Sequence, residues 1–182
     1  MGLDATIREA GIADRDTVTD IERRAFGRND EAALTSDLLA DPTAAPCLSL
    51  IAVEADRPVG HILFTAARIV AAPRAVVASI LAPLAVVPQA QGRGIGGKLI
   101  AEGLRRLEAR GGDLVFVLGH PGYYRRSGFA TAGRSGLEAP YPIPKKDADA
   151  WMVRPLRDGI IGAITGRVVA ADTLMRPEYW RE

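Results

Sequence analysis

The stretch Gln89–Ile100, QAQGRGIGGKLI, limits what this 182-residue chain can fold into more than any other. Gly92, Gly94, Gly96 and Gly97 crowd into it, and glycines at this density let a backbone turn sharply and come close to a ligand. Behind them Ile95, Leu99, Leu104 and Leu107 recur near helical spacing, leaving Lys98, Glu102, Arg105, Arg106 and Arg110 for a wet face. Before them runs the extended apolar segment AVVASILAPLAVV. A strand, a glycine loop and a helix in that order gather backbone N–H groups and the positive end of a helix at one point, which suits phosphate.

Three glycine patterns overlap in this loop. Gly92, Gly94 and Gly97 spell the dinucleotide pattern G-x-G-x-x-G; Gly92, Gly97 and Lys98 spell most of a P-loop; Gln91, Gly94 and Gly96 spell Q-x-x-G-x-G. A P-loop needs Ser or Thr after its lysine, and here Leu99 follows Lys98. The dinucleotide reading needs an acidic residue about 20 positions on, at the end of the next strand. Asp113 falls before that strand, and LVFVLGH ends without an acid. A glycine-rich turn that binds nothing stays open beside the third pattern.

The rest of the chain reads as an α+β domain on a mixed, mostly antiparallel sheet. ATIREAG is a short strand; Asp14 caps a helix running to about Phe26, and a second helix covers about Asp30 to Leu39, stopping before Asp41-Pro42. CLSLIAVEA, RPVGHILFTAARIV and AVVASILAPLAVV, separated by breaks at Ala55–Arg57 and Ala71–Arg74, form an antiparallel meander. Pro83 inside the third segment implies a bulge or an edge, since proline cannot donate to a ladder. Gly111-Gly112 ends the long helix, DLVFVLG is an apolar strand, YYRRSGF is a short helix closed by Gly128, and AWMVRPL is the last strand. The tail from Asp158 carries no clear pattern. One domain over residues 1–182 is expected.

Twenty-three basic against 22 acidic residues leave a net charge of +1, which gives no footing to a nucleic-acid or membrane-surface role. Cys47 is the only cysteine, so an internal disulfide is excluded and an inert thiol is expected. MGLDATIREAG lacks the apolar run of a signal peptide, no stretch approaches a membrane span, and Gly2 with Thr6 only half-completes a myristoylation pattern; a cytoplasmic protein is expected.

LAVVPQAQGRGIGGKLI followed by LVFVLG and YYRRSGF resembles the GNAT N-acetyltransferase superfamily. In that family an L-x-V-x-P strand leads through Q/R-x-x-G-x-G/A into a helix, and a later short helix ends Tyr-x-x-x-Gly-Phe, as Tyr124, Gly128 and Phe129 do here. LGHPGYYRRSGF and VGHILF are similar to its YhbS-like subgroup. The resemblance runs from about Ser79 to Phe129 and is vague beyond Gly133.

It implies a sheet splayed at an acetyl-CoA site, with helices flanking, and direct transfer of an acetyl group to a primary amine in a ternary complex, without metal. Gln91, Gly92, Arg93, Gly94, Ile95, Gly96 and Gly97 would hold the pyrophosphate. Leu84, Ala85 and Val86 would lie along the pantetheine arm, the Val86 region giving an N–H to the thioester carbonyl. Tyr124 would protonate the leaving thiolate; Tyr123 would only pack. His120 is the candidate base, with Glu22, Glu31 and His61 behind it. The acceptor, a small molecule or peptide amine, would be shaped by Asp14–Leu39 and APYPIPKK, in a monomer or homodimer. Two other readings stand beside this one: an acyl-CoA-binding regulatory module without turnover, and a nucleotide-binding enzyme using the loop.

Overall fold

The computed structural model describes residues 4–70, 72 and 75–181; the expected break at Ala71–Arg74 lies mostly outside them, as does Gly2. Among the described residues nine strands follow in chain order: β1 (Thr6–Glu9), β2 (Leu48–Glu54), β3 (Arg57–Ile69), β4 (Ala78–Val86), β5 (Leu114–Leu118), β6 (Ala130–Thr131), β7 (Leu137–Glu138), β8 (Trp151–Pro155) and β9 (Gly166–Val169). The main sheet runs β1-β2-β3-β4-β5-β8-β6. Every neighbouring pair in it is antiparallel except β4 and β5, which are parallel because the helix α3 (Ile95–Ala109) crosses over between them.

Pro83 marks a bulge, as its missing N–H requires. Ile62 pairs with Leu84 and Phe64 with Leu81, so Ala82 and Pro83 stand together opposite Leu63. β4 keeps its pairing with β3 across the bulge, but on its other edge the ladder to β5 covers only Ala78–Ile80. Beyond Ile80 the two parallel strands part, while β5 stays paired with β8 up to Leu118. This is the expected splay, and the gap opens at Leu84–Val86.

Helices α1 (Arg15–Phe26) and α3 pack against the central strands, and α2 (Asp30–Ala40) against α1. Ile95, Leu99, Ile100 and Leu104 bury one stripe of α3 against Leu50, Ile62 and Phe64, with Val18 and Ile21 of α1 in the same cluster. Asp14 stands before α1, but its carboxylate is turned to the Gly11 N–H and to Arg8 rather than capping the helix.

The tail beyond Asp158 is built into the second apolar cluster, and β8 is not the last strand. β9 pairs with Arg68–Ile69 of β3 and with β7. Trp180 is buried edge-on against Trp151, which stacks on Phe116 with ring centroids 5.1 Å apart. These contacts are long-range, so no local period announced them.

Candidate active site

The floor of the site is the β4–α3 junction. Val87 donates its N–H to the Val59 carbonyl across the β3 edge. Successive strand N–H groups point to opposite edges, so the Val86 N–H faces the gap towards β5, where no strand takes it. Gln91 folds back and donates its side-chain N–H to the Val86 carbonyl at 2.9 Å, fixing the strand end to the loop. Gly92 and Gly94 both have left-handed backbones (φ 72° and 81°), and Gly94 is the residue from which α3 starts. The first N–H groups of α3 are thereby aimed at the mouth of the splay.

The far wall comes from β5 and the residues after it. β5 ends at Leu118, and the Gly119 N–H donates to the Ala150 carbonyl. Pro121 then opens the four-residue helix α4 (Pro121–Tyr124), to whose start the His120 carbonyl accepts the Tyr123 N–H at 3.0 Å. The two tyrosines leave α4 in different directions. The Tyr124 ring lies edge-on to Phe129 and so close to Gly119 that a Cβ there would stand 2.5 Å from it. Burial, with a smaller push from Tyr123, holds the Tyr124 phenol above its ordinary range. The Tyr123 hydroxyl instead reaches across to α3 and occupies the space a side chain at Gly96 would need.

These groups enclose a cavity of about 720 Å³. Leu84, Val86, Gln91, Gly92, Gly94, Ile95, Gly96, Gly97, His120 and Tyr124 all line it. Two of the expected residues do otherwise. Ala85 is buried in the core cluster, on the face of β4 opposite to Leu84 and Val86, with His61 as its register partner on β3. Arg93 is bound by Glu54 at the end of β2, and Lys98 by Asp4, so neither cation is aimed at the loop. What the cavity can offer an anion is the backbone N–H groups at the start of α3 and the side chain of Arg126, which lines it.

Tyr123, Arg126 and Ser127 also line the cavity, although the sequence alone assigns Tyr123 to packing. The signal available was the adjacency of Tyr123 and Tyr124, whose directions only the geometry of the turn decides. Glu22 and His61 are wholly buried and bonded to each other, and Glu31 is paired with Arg28 at the surface. None of these three lines the cavity, and neither does any part of α1, α2 or the 139–146 loop among the described residues. That loop instead borders a separate groove with Leu137 and Trp151.

The sequence over residues 6–132 matches the Acetyltransferase (GNAT) domain family. The chain belongs to the GNAT acetyltransferase family. It is 44% identical over 161 residues to the uncharacterized N-acetyltransferase YjhQ of Escherichia coli strain K12, spanning 88% of each chain. The crystal structure of the GNAT protein YhbS from Escherichia coli in complex with CoA superposes with a TM-score of 0.86 at 29% identity, covering 97% of this chain and 94% of that one. A GNAT acetyltransferase from Brucella melitensis in complex with acetyl-CoA gives 0.73 at 28% identity, covering 94% and 98%. The GNAT fold therefore extends well past the region of motif resemblance, through the tail that the sequence left open. Among the described residues no helix is long and apolar enough to cross a membrane.

Proposed function

We propose that this GNAT-family chain transfers the acetyl group of acetyl-CoA to a primary amine by direct attack, with both substrates bound together. The observation that carries the reading is the convergence of three elements on one cavity: the open edge of β4, the N-terminus of α3 and the His120–Tyr124 turn. Two structural relatives have been crystallised with CoA and acetyl-CoA, and their fold covers nearly the whole of this chain.

The pyrophosphate lies on the N–H groups of Gly92–Gly97, and the pantetheine arm fills the missing strand position beside Leu84–Val86. Its amide groups bond to the open edge as a short added strand. The thioester carbonyl then meets the Val86 N–H, which stabilises the oxyanion as the amine attacks. Collapse of the tetrahedral intermediate breaks the C–S bond, and Tyr124 donates its proton to the departing thiolate. Its raised pKa keeps that proton in place through the neutral range. His120, exposed at the cavity edge, receives the proton of the incoming ammonium, directly or through water.

Titration calorimetry with acetyl-CoA, alongside free-thiol detection over a panel of amines, tests this. Binding together with amine-dependent thiol release supports it. Binding with no release from any amine would make the chain a sensor of acyl-CoA, and absence of binding would end the reading altogether.

A further inference from the structure

A series of polar groups that the acetyl transfer does not use ends at a second opening. The Ser49 hydroxyl on β2 lies 2.8 Å from Nε2 of His61 on β3, and Nδ1 of the same ring lies 2.6 Å from Oε1 of Glu22 on α1. Ser49 stands two residues before Ile51, the register partner of His61, so it meets the ring diagonally on the same face of the sheet. His61 and Glu22 are wholly buried, whereas Ser49 lines a groove of about 240 Å³ that shares no residue with the acetyl-CoA cavity.

Hydroxyl, imidazole and carboxyl in series, with the hydroxyl outermost, is the arrangement that activates a serine. Once Glu22 is ionised, its Oε1 takes the Nδ1 hydrogen, and Nε2 presents its lone pair to the Ser49 hydroxyl. Burial of the ring keeps water from competing for either nitrogen. The groove itself suits a small ester. Ile12, Val18 and Leu39 give it an apolar wall, and Ile12 is 85% exposed. Arg15 is the only cation among the lining residues, and its guanidinium donates to a neutral partner, the Leu39 carbonyl. Glu9, the only acid there, is taken by Arg106 and Arg110. Cys47 also lines the groove, but burial, with a smaller push from Asp41, holds its thiol above the ordinary range, so the neighbouring sulfur is the poorer nucleophile.

We infer that Ser49 is the nucleophile of a second site, one that hydrolyses short-chain acyl esters independently of acetyl transfer. Ser49 Oγ attacks the ester carbonyl carbon as its proton passes to Nε2 of His61. Glu22 stabilises the imidazolium, and Arg15 supplies a donor to the oxyanion. The C–O bond to the alcohol breaks, and the alcohol leaves with the Nε2 proton. Water then attacks the acyl-Ser49 ester and gives a proton to Nε2. The bond to Oγ breaks, that proton returns to Oγ, and the carboxylic acid is released. Ser49 is only 7% exposed, which restricts the site to small acyl groups.

Treatment of the full chain with diisopropyl fluorophosphate tests this, because an activated serine attacks its phosphorus and expels fluoride. Intact mass and peptide mapping locate the adduct, and nitrophenol release from p-nitrophenyl acetate gives a turnover rate. One adduct is expected, on Ser49, and Ser49→Ala should abolish it and bring ester turnover down to background. Glu22→Gln keeps the shape of the buried pair but removes the charge behind the imidazole. It should slow labelling and nitrophenol release by about 10²-fold or more, and it decides the matter should Ser49→Ala fail to fold. No adduct in the parent, an adduct on Cys47 or elsewhere, or rates that Glu22→Gln leaves unchanged would overturn the assignment and make Ser49 the end of a purely structural bond. The acetyl-CoA reading is tested separately by its own calorimetry and stands or falls without this one.

Discussion

Nδ1 of His61 lies 2.6 Å from Oε1 of Glu22, and solvent reaches neither side chain. On the other side of the ring Nε2 is 2.8 Å from the Ser49 hydroxyl, so a chain of three polar groups ties α1 to β2 and β3 inside an apolar cluster. The second oxygen of Glu22 has no partner. Removing one member of such a pair strands the other, and His61→Ala should cost about 3–5 kcal/mol. Replacing both, as in Glu22→Leu with His61→Leu, should cost clearly less, because neither member of the pair is left buried without the other. Urea denaturation of the single and double variants reads the difference; a double variant as unstable as the sum of its parts would show that the pair is not coupled.

The same pair sets a pH dependence. Burial holds the Glu22 carboxyl above its ordinary range, with Glu31 adding slightly to the rise and His61 opposing it. A carboxyl with a higher pKa in the folded chain holds its proton more tightly there. Its stabilising contribution is complete at low pH and is lost as pH rises through the folded value. Relative to the parent, Glu22→Gln should therefore gain stability as pH is raised from about 4 to 8. The carboxylate of Asp14, which Arg8 holds down to about 2, acts in the opposite sense but is common to both proteins and cancels. A parent–variant difference that stays flat across that range would show that burial does not raise the Glu22 pKa.

How much of this was legible depended on whether the controlling contact was local. The α3 stripe from Ile95 to Leu104 follows from its spacing, the bulge from Pro83, and the cavity edge from the glycines and the Tyr124–Phe129 motif. β9 did not: GRVV is four residues long, and its partners are Arg68, Ile69 and β7. The Glu22–His61 bond spans 39 positions and Arg93–Glu54 another 39, so no motif connects them.

The loop glycines should respond differently to alanine. At Gly94 no atom stands near a new Cβ, but the backbone is left-handed, so Gly94→Ala should lower stability by about 1 kcal/mol through strain alone. At Gly96 the obstacle is the Tyr123 hydroxyl. Gly96→Ala should push that ring into the cavity and weaken acetyl-CoA binding by about tenfold or more, as expected for a shape-fitted site that loses its geometry. Removing the hydroxyl with Tyr123→Phe should restore part of the affinity. Without that rescue, the fault would lie in the approach of phosphate to the helix and not in Tyr123.

Tyr124→Phe separates the chemistry from the packing. The ring sits between Gly119 and Phe129, contacts that phenylalanine keeps, and no protein acceptor takes the hydroxyl hydrogen among the described residues. Stability and acetyl-CoA affinity should therefore change little. If the proton assists thiolate departure, kcat should fall by about 10²–10⁴-fold when chemistry limits the rate, with the KM for acetyl-CoA nearly constant. An acyl donor with a better leaving thiol should recover part of the loss, because it needs less protonation. Tyr123→Phe is the internal control, since its hydroxyl points at Gly96 and has no role in the proposed protonation of the thiolate. Parent-like turnover of Tyr124→Phe with a slow acceptor, where product release cannot hide the chemical step, would assign Tyr124 to packing and leave the thiolate to be protonated by water.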